Sequence, residues 1–381
     1  MIKNIKLILS QPDTRAVALV FMALAITMGA FVTRLVEIKI KFGLNEAELG
    51  TALFFIPLGA VTLLPFYSKV IGKFGERQTT AWSICILLLA MIFPWYATDQ
   101  DWLMASFYLI GLSVGLTDVA MNAEVAEIER QNSKVIMSSC HGFFSIGGMI
   151  GAILSSIFIA GSVSLSYQMM IIACVLIAVL LPLFKHMINA PAHKAKAGGH
   201  FEFPTSKVLA FAVIGFCVMM SEGGITDWAT IFVKENLKVA GEYAGAGFAG
   251  FSLLMAIARF QGDSLHIRFG AKKLVLIGSL IAVIGLFLVL LQTPLWAIIG
   301  FSLAGLGYSV IVPILFSTAA KQEGVKPSKG IATVASSGYI GMLAGPVLIG
   351  FIADSYGLVN GFTFLLGLTV LALLLSFKAL H

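Results

Sequence analysis

Apolar residues fill twelve long stretches of this chain, parted by short polar breaks. The stretches lie near 16–38, 48–70, 80–97, 103–126, 136–160 and 165–187, then near 207–232, 243–266, 273–291, 294–319, 328–352 and 358–378. About 20 mostly apolar residues suffice for a helix to cross a bilayer, so each stretch predicts one spanning helix. The longest break, 188–206, is rich in Ala, Gly, Lys and His and reads as a flexible linker. The expected organisation is a six-helix half over 1–187, a cytoplasmic linker over 188–206 and a second six-helix half over 207–381.

The two halves carry an internal repeat. A shift of 195 pairs Gly29 with Gly224, Lys39 with Lys234, Gly50 with Gly245 and Gly75 with Gly270, and it sets Lys73 on Arg268 and Arg77 on Lys272. By the fifth stretch the shift is 194, pairing Gly147 with Gly341 and Gly151 with Gly345. One match means little, but a nearly constant offset over five spans points to duplication. The fold class is therefore an all-α membrane protein, twelve transmembrane helices in two parallel six-helix repeats.

Composition supports a lipid solvent. Charged residues make up 12% of the chain and hydrophobic ones 59%, against roughly 25% charged in a soluble protein. Mean hydropathy is +0.96. The net charge of +6 is not a nucleic-acid signature, because Lys and Arg gather in small groups at the ends of apolar runs. With the N-terminus inside, the cytoplasmic segments hold 19 Lys and Arg and the outer ones five. That asymmetry places both termini and the linker in the cytoplasm of an inner (plasma) membrane protein. The triplet Ala23-Leu24-Ala25 mimics a signal-peptidase site, but the apolar run continues past it, as expected of an uncleaved first span. The cysteines Cys85, Cys140, Cys174 and Cys217 lie in or beside apolar runs without metal-ligand spacing, as buried small hydrophobes would.

Ionisable groups at membrane depth are costly and are candidates for function. Asp118 stands about 12 Å from the cytoplasmic end of the fourth span, with Asn122 one turn further on the same face. A carboxyl there could exchange a proton during transport, or be pinned by a neighbouring helix. Glu222 and Asp227 flank Gly223-Gly224, a pair able to break the seventh span. Glu222 could then face a cavity or serve packing, Asp227 could be a gate charge, and Trp228 could stack on a ring-shaped solute. Arg34 could bind an anionic group, pair with Asp227 or snorkel to the surface. His141 opens the fifth span at the height of Asn122, where a proton relay with Asp118 competes with a hydrogen-bonded helix-end role. Glu124, Glu127 and Glu129 are expected in a solvated turn with Arg130 and Lys134.

Two enzyme motifs match by letter only. Gly111-Leu112-Ser113-Val114-Gly115 resembles a nucleophile elbow, and Gly245-Ala246-Gly247-Phe248-Ala249-Gly250 a dinucleotide fingerprint. Both motifs need a strand and both lie in spans. Their glycines, like Gly147, Gly151, Gly341 and Gly345, fit close helix approach instead.

Arg259-Phe260-Gln261-Gly262-Asp263 followed by Arg268-Phe269-Gly270-Ala271-Lys272-Lys273 resembles the second-half loop motif of the major facilitator superfamily. The first half keeps Lys73-Phe74-Gly75-Glu76-Arg77, with Ser68 at the place of Asp263. Gly115-Leu116-Thr117-Asp118-Val119-Ala120-Met121-Asn122 and Glu222-Gly223-Gly224-Ile225-Thr226-Asp227-Trp228 are similar to motifs of the fucose-permease-like branch. The resemblance implies the major facilitator fold, alternating access around a cavity between the halves, and proton-coupled import of a small polar, sugar-like solute. Coupling would fall to Asp118, Glu222 and Asp227, and solute contacts to Asn122, Trp228, Arg34 and His141. Lys73, Gly75, Arg77, Arg259, Gly262, Asp263, Arg268 and Gly270 would form the gating loops.

The main alternative is a proton-driven exporter. The Gly-Pro pair found in the fifth span of drug antiporters is absent here, where Gly151 is followed by Ala152, while Gly345-Pro346 stands in the eleventh span. A membrane-embedded enzyme or a sensor fits less well, since neither a nucleophile–base set nor a soluble domain is visible. The expected partners are solute, protons and lipid, with no nucleic acid, cofactor or metal, and the expected state is a monomer.

Overall fold

The computed structural model of the chain describes residues 2–132, 136–188, 206–322 and 327–379. Most of the linker 188–206, Lys134, and the side chains of Ser68 and Asp263 lie outside the described set. Among the described residues there is no strand. The helices are α1 Ile2–Ser10, α2 Pro12–Thr33, α3 Leu35–Phe42, α4 Glu46–Thr62, α5 Leu64–Ala90, α6 Gln100–Asn132, α7 Met137–Ala160 and α8 Leu165–Leu180. After them come α9 Ser206–Ile231, α10 Ala246–Arg259, α11 Gly262–Val289, α12 Pro294–Tyr308, α13 Ile311–Ala320, α14 Pro327–Tyr356 and α15 Leu358–Ala379. Contacts divide the chain into two units, Met1–Gly43 with Ala52–Ala197, and Leu44–Thr51 with Gly198–His381.

Among the described residues, ten helical segments are long and apolar enough to cross a membrane. The second and eighth spans complete the twelve. Each is interrupted at a similar place in its repeat: α4 stops at Thr62 and α5 resumes at Leu64, while α10 stops at Arg259 and α11 resumes at Gly262. Within α5 and α11, Gly75 and Gly270 leave helical geometry and turn the chain into the third and ninth spans.

The small residues predicted to draw helices together do so in the first unit. A Cβ on Gly147 would overlap the Met22 carbonyl oxygen, and one on Gly151 that of Ile26, so α7 lies directly on α2. In lipid such close packing replaces the hydrophobic drive of water. In the second unit Gly341 meets the Phe216 carbonyl at 2.6 Å from a would-be Cβ, but Gly345 has 3.6 Å of clearance from Met220 and sits less tightly than expected. The second unit also holds a cluster of Phe232, Phe301 and Phe362, with ring centroids 4.9 to 6.2 Å apart.

Two irregularities differ from the sequence reading. The helix does not break at Gly223-Gly224: α9 runs on to Ile231, and the disturbance is a π-helical turn at Phe232–Asn236. Gly224 instead packs against the side-chain ends of Ile349 and Leu365, which would have to move aside for a Cβ. The tenth span is split between α12 and α13 just before Pro313, which has no N–H to offer the Ser309 carbonyl. Ala23, Leu24 and Ala25 are buried within α2. Outside the spans, Asp99 caps α6: it accepts the Trp102 N–H at 2.8 Å, and that bond and the Thr98 hydroxyl hold its carboxyl below the ordinary range.

Candidate functional site

In the first unit, Asp118 lies near the middle of α6 and is half-buried. Asn122, one turn on, donates its Nδ2 to the Asp118 carbonyl oxygen at 2.8 Å and to Oδ1 at 3.1 Å. The amide thus ties the carboxyl to its own helix, and no cation pairs with it among the described residues. His141, on the first turn of α7, packs edge-on against Phe21 with ring centroids 5.2 Å apart.

Arg34 does not snorkel, and its guanidinium is taken up inside the first unit. It is buried at the joint of α2 and α3. Its Nε and Nη2 donate to the two Glu37 carboxylate oxygens at 2.7 and 2.9 Å, and Nη1 donates to Gln168 Oε1 at 2.6 Å. Both Nη atoms reach the Val163 carbonyl at 3.1 Å. Gln168 passes the network on to Ser155, which donates to the Ala30 carbonyl. The planar fork of arginine suits this many-point arrangement. Gln168 and Ser155 were not singled out from the sequence; the available signal was an uncharged polar residue inside an apolar run.

In the second unit Glu222 pairs with Arg259 across α9 and α10, Oε1 to Nη2 at 3.3 Å, with both side chains partly exposed. Beside Glu222, Ser221 and Tyr308 both meet the Thr369 hydroxyl, joining α9, α12 and α15. Asp227 is half-buried and has no hydrogen-bond or ion-pair partner among the described residues. Trp228 is wholly buried, so it is core here and presents no face to a solute.

The loop residues repeat their geometry. Lys73 lies over the Phe74 ring at 5.2 Å, and Arg268 over Phe269 at 5.3 Å. Each pair is followed by its left-handed glycine, Gly75 or Gly270. Gly262 opens α11. The sequence profile of the Major Facilitator Superfamily matches residues 16–212 and again residues 211–381.

The chain belongs to the major facilitator superfamily.

It is 31% identical over 357 residues to an uncharacterised MFS-type transporter of Yersinia pestis, covering 93% of each chain. It is 28% identical over 363 residues to the membrane protein MosC of Rhizobium meliloti, covering 93% of this chain and 87% of that one. A mutant of the nucleoside transporter NupG shares the fold with TM-score 0.75 at 14% identity, over 97% of this chain and 100% of that one. A bacterial homologue of the human lysosomal transporter Spinster, inward-facing and occupied, gives 0.70 at 15% identity, over 96% and 95%. At those identities the likeness is one of fold.

The acidic turn after the fourth span of this superfamily member is not uniformly solvated. Glu124 is not solvated: it is fully buried, and its Oε1 accepts the Ile188 N–H at 2.9 Å, where the chain leaves the sixth span. Glu129 accepts the N–H groups of Ile136 and Met137 at 2.6 and 2.8 Å and so caps α7. Glu127 does pair at the surface, with Arg130. Of the cysteines, Cys140 and Cys217 are buried, Cys85 is partly so, and Cys174 is exposed. Of the glycines of the two enzyme-like motifs, Gly245 stands at the N-cap of α10 and the others lie in helices, Gly111 against Ile56 and Gly250 against Ser302. A hollow of 390 Å³ beside α4 and α6 is lined by Phe55, Leu58, Asp101, Met104, Ala105 and Tyr108, none of them a predicted site residue.

Proposed function

We propose that this multi-pass transporter is a proton-coupled symporter that imports a small polar, sugar-like solute by alternating access, with Asp118 carrying the coupling proton. The observation that carries the reading is the setting of Asp118: mid-span, half-buried and held by an amide, with no cation opposite it among the described residues. A carboxylate at such depth needs either water or a proton to be tolerated. A group that meets those two needs alternately can carry a proton across. Asp227 shares this lack of a cation and is the second candidate. The choice of a sugar-like solute rests on the resemblance of the Asp118 and Glu222 motifs to the fucose-permease-like branch. Lys73, Arg77, Arg268 and Asp263 are read as gating charges at the inner loops.

The test is uptake into proteoliposomes over a panel of sugars, amino sugars and organic acids, with and without an inward proton gradient. Asp118→Asn should abolish accumulation driven by the gradient and spare solute exchange, while Asp118→Glu should keep part of the coupling. An Asn variant that still concentrates solute in response to the gradient would refute the assignment.

A further inference from the structure

The turns at Gly75 and Gly270 share one backbone conformation, yet the residues around them do not match throughout. Where the first copy has Gly72, Glu76 and Gln78, the second has Ile267, Ala271 and Lys273. The shared turn does not call for these differences. Nothing lies within 4 Å of a would-be Cβ on Gly72, and Ile267 at the matching place is 89% exposed. The second corner thus carries a large apolar side chain that touches almost nothing of the protein.

Charge changes in the same place. Within Ile267–Lys273 stand Arg268, Lys272 and Lys273 and no acid, which gives this stretch +3, against +1 from Lys73, Arg77 and Glu76 within Gly72–Gln78. The nearest acid along the chain is Asp263, at the start of α11. Arg268 and Lys273 are exposed, and Lys272 is half-buried. None of the three has an ion-pair partner among the described residues. Arg268 lies over the ring of Phe269, itself exposed.

The register of Lys273 decides what this corner faces. Ile277, Leu280, Ile284 and Phe287 follow it at helical spacing along the ninth span, and all four are exposed. In a chain that crosses a bilayer, such an exposed apolar stripe borders acyl chains. Lys273 heads the stripe, where acyl chains give way to head groups, the level at which cations at span ends come to rest. An exposed isoleucine beside three cations calls for a partner that offers methylenes and negative charge together.

We propose that the corner Ile267–Lys273 binds an anionic phospholipid of the surrounding bilayer. Arg268, Lys272 and Lys273 hold its head group, and Ile267 and Phe269 lie among the first methylenes of its chains. The inference requires only that the chain spans a membrane, and it stands apart from solute, direction and coupling.

The experiment uses the full-length protein with its four cysteines replaced and a bimane fluorophore on Ser264→Cys, exposed on α11 one turn before Ile267 and Arg268. Vesicles of phosphatidylcholine receive a minor share of lipid with brominated chains, either phosphatidylglycerol or phosphatidylcholine, and bromine quenching reports the lipid next to the label. Each cation beside the surface favours an anionic lipid about fivefold, so phosphatidylglycerol should be enriched at the label by about fivefold or more over its bulk share. Brominated phosphatidylcholine should quench only in proportion to its share. Salt at about 1 M, where the screening length is about 3 Å, should shrink the preference. Replacing both lysines, Lys272→Gln with Lys273→Gln, should bring phosphatidylglycerol close to the phosphatidylcholine level, and Arg at both positions should keep the preference. Ile267→Ser should lower quenching by both lipids and leave their ratio as it is.

The inference is overturned if the two brominated lipids quench the labelled parent alike, a comparison that needs no further variant to fold. It is overturned too if the double Gln variant keeps the preference, which would place the anionic lipid elsewhere. Unchanged quenching by both lipids in Ile267→Ser would remove that side chain from the acyl chains and with it the docked lipid.

Discussion

Gly75 and Gly270, 195 residues apart, hold the same backbone conformation, φ 80° and ψ 162° in one and φ 73° and ψ 163° in the other. That region is open to glycine and closed to nearly every other residue, at about 1–3 kcal/mol for a side chain forced into it. At Gly270 an added Cβ meets nothing within 4 Å, so the requirement there is backbone conformation and not space. Gly75→Ala and Gly270→Ala should each lower stability by about 1–3 kcal/mol. Chemical denaturation in detergent would measure this, and a loss confined to one copy would contradict the duplicated turn.

Arg34 should matter for stability more than for solute choice. Replacing it with Met leaves Glu37 without its partner and strands the Gln168 amide, at a cost of about 2–4 kcal/mol once the partial exposure of Glu37 is allowed for. Arg34→Lys should recover little, because an ammonium cannot reach Glu37, Gln168 and Val163 together. The check is thermal unfolding beside a solute competition profile. A changed profile with unchanged stability would return Arg34 to the binding site.

Glu124 gives a discriminating pair of variants. Glu124→Gln keeps an oxygen for the Ile188 N–H and should be close to neutral. Glu124→Ala leaves that N–H without an acceptor, at about 1–3 kcal/mol. Hydrogen exchange at Ile188 should quicken in the Ala variant only. Equal exchange in both variants would show that the carboxylate does not hold this segment.

The charge asymmetry along the chain predicts sidedness. Gln131, in the last turn of α6, and Ser164, at the N-cap of α8, are both exposed and are separated along the chain by α7. As single cysteines in a protein whose Cys85, Cys140, Cys174 and Cys217 have been replaced, Ser164→Cys should react with an impermeant thiol reagent in intact cells. Gln131→Cys should react only after permeabilisation. The opposite pattern would put the termini outside.

The twelve spans, the repeat and the loop glycines were legible because each follows from a local rule. A stretch of about 20 apolar residues in lipid can satisfy its backbone only as a helix. A glycine held at the same offset in both halves marks a turn that must be made twice. Helix breaks were less legible. Gly223-Gly224 looks like a hinge and lies inside a regular helix, while the real disturbance at Phe232–Asn236 has no glycine or proline to announce it.

Which polar groups meet was decided by the tertiary structure alone. Arg34 finds Gln168 across 134 residues and Glu222 finds Arg259 across 37. Glu124, in a run of charges that looks solvated, turns inward to Ile188, and Trp228 is swallowed by the core. In a soluble helix the apolar stripe shows which face points in. In a membrane span both the core face and the lipid face are apolar, so the pattern says that the helix crosses and not how it is turned. The rotation of each span, and with it the partner of every buried charge, is set by close packing such as that of Gly147 and Gly151 on α2.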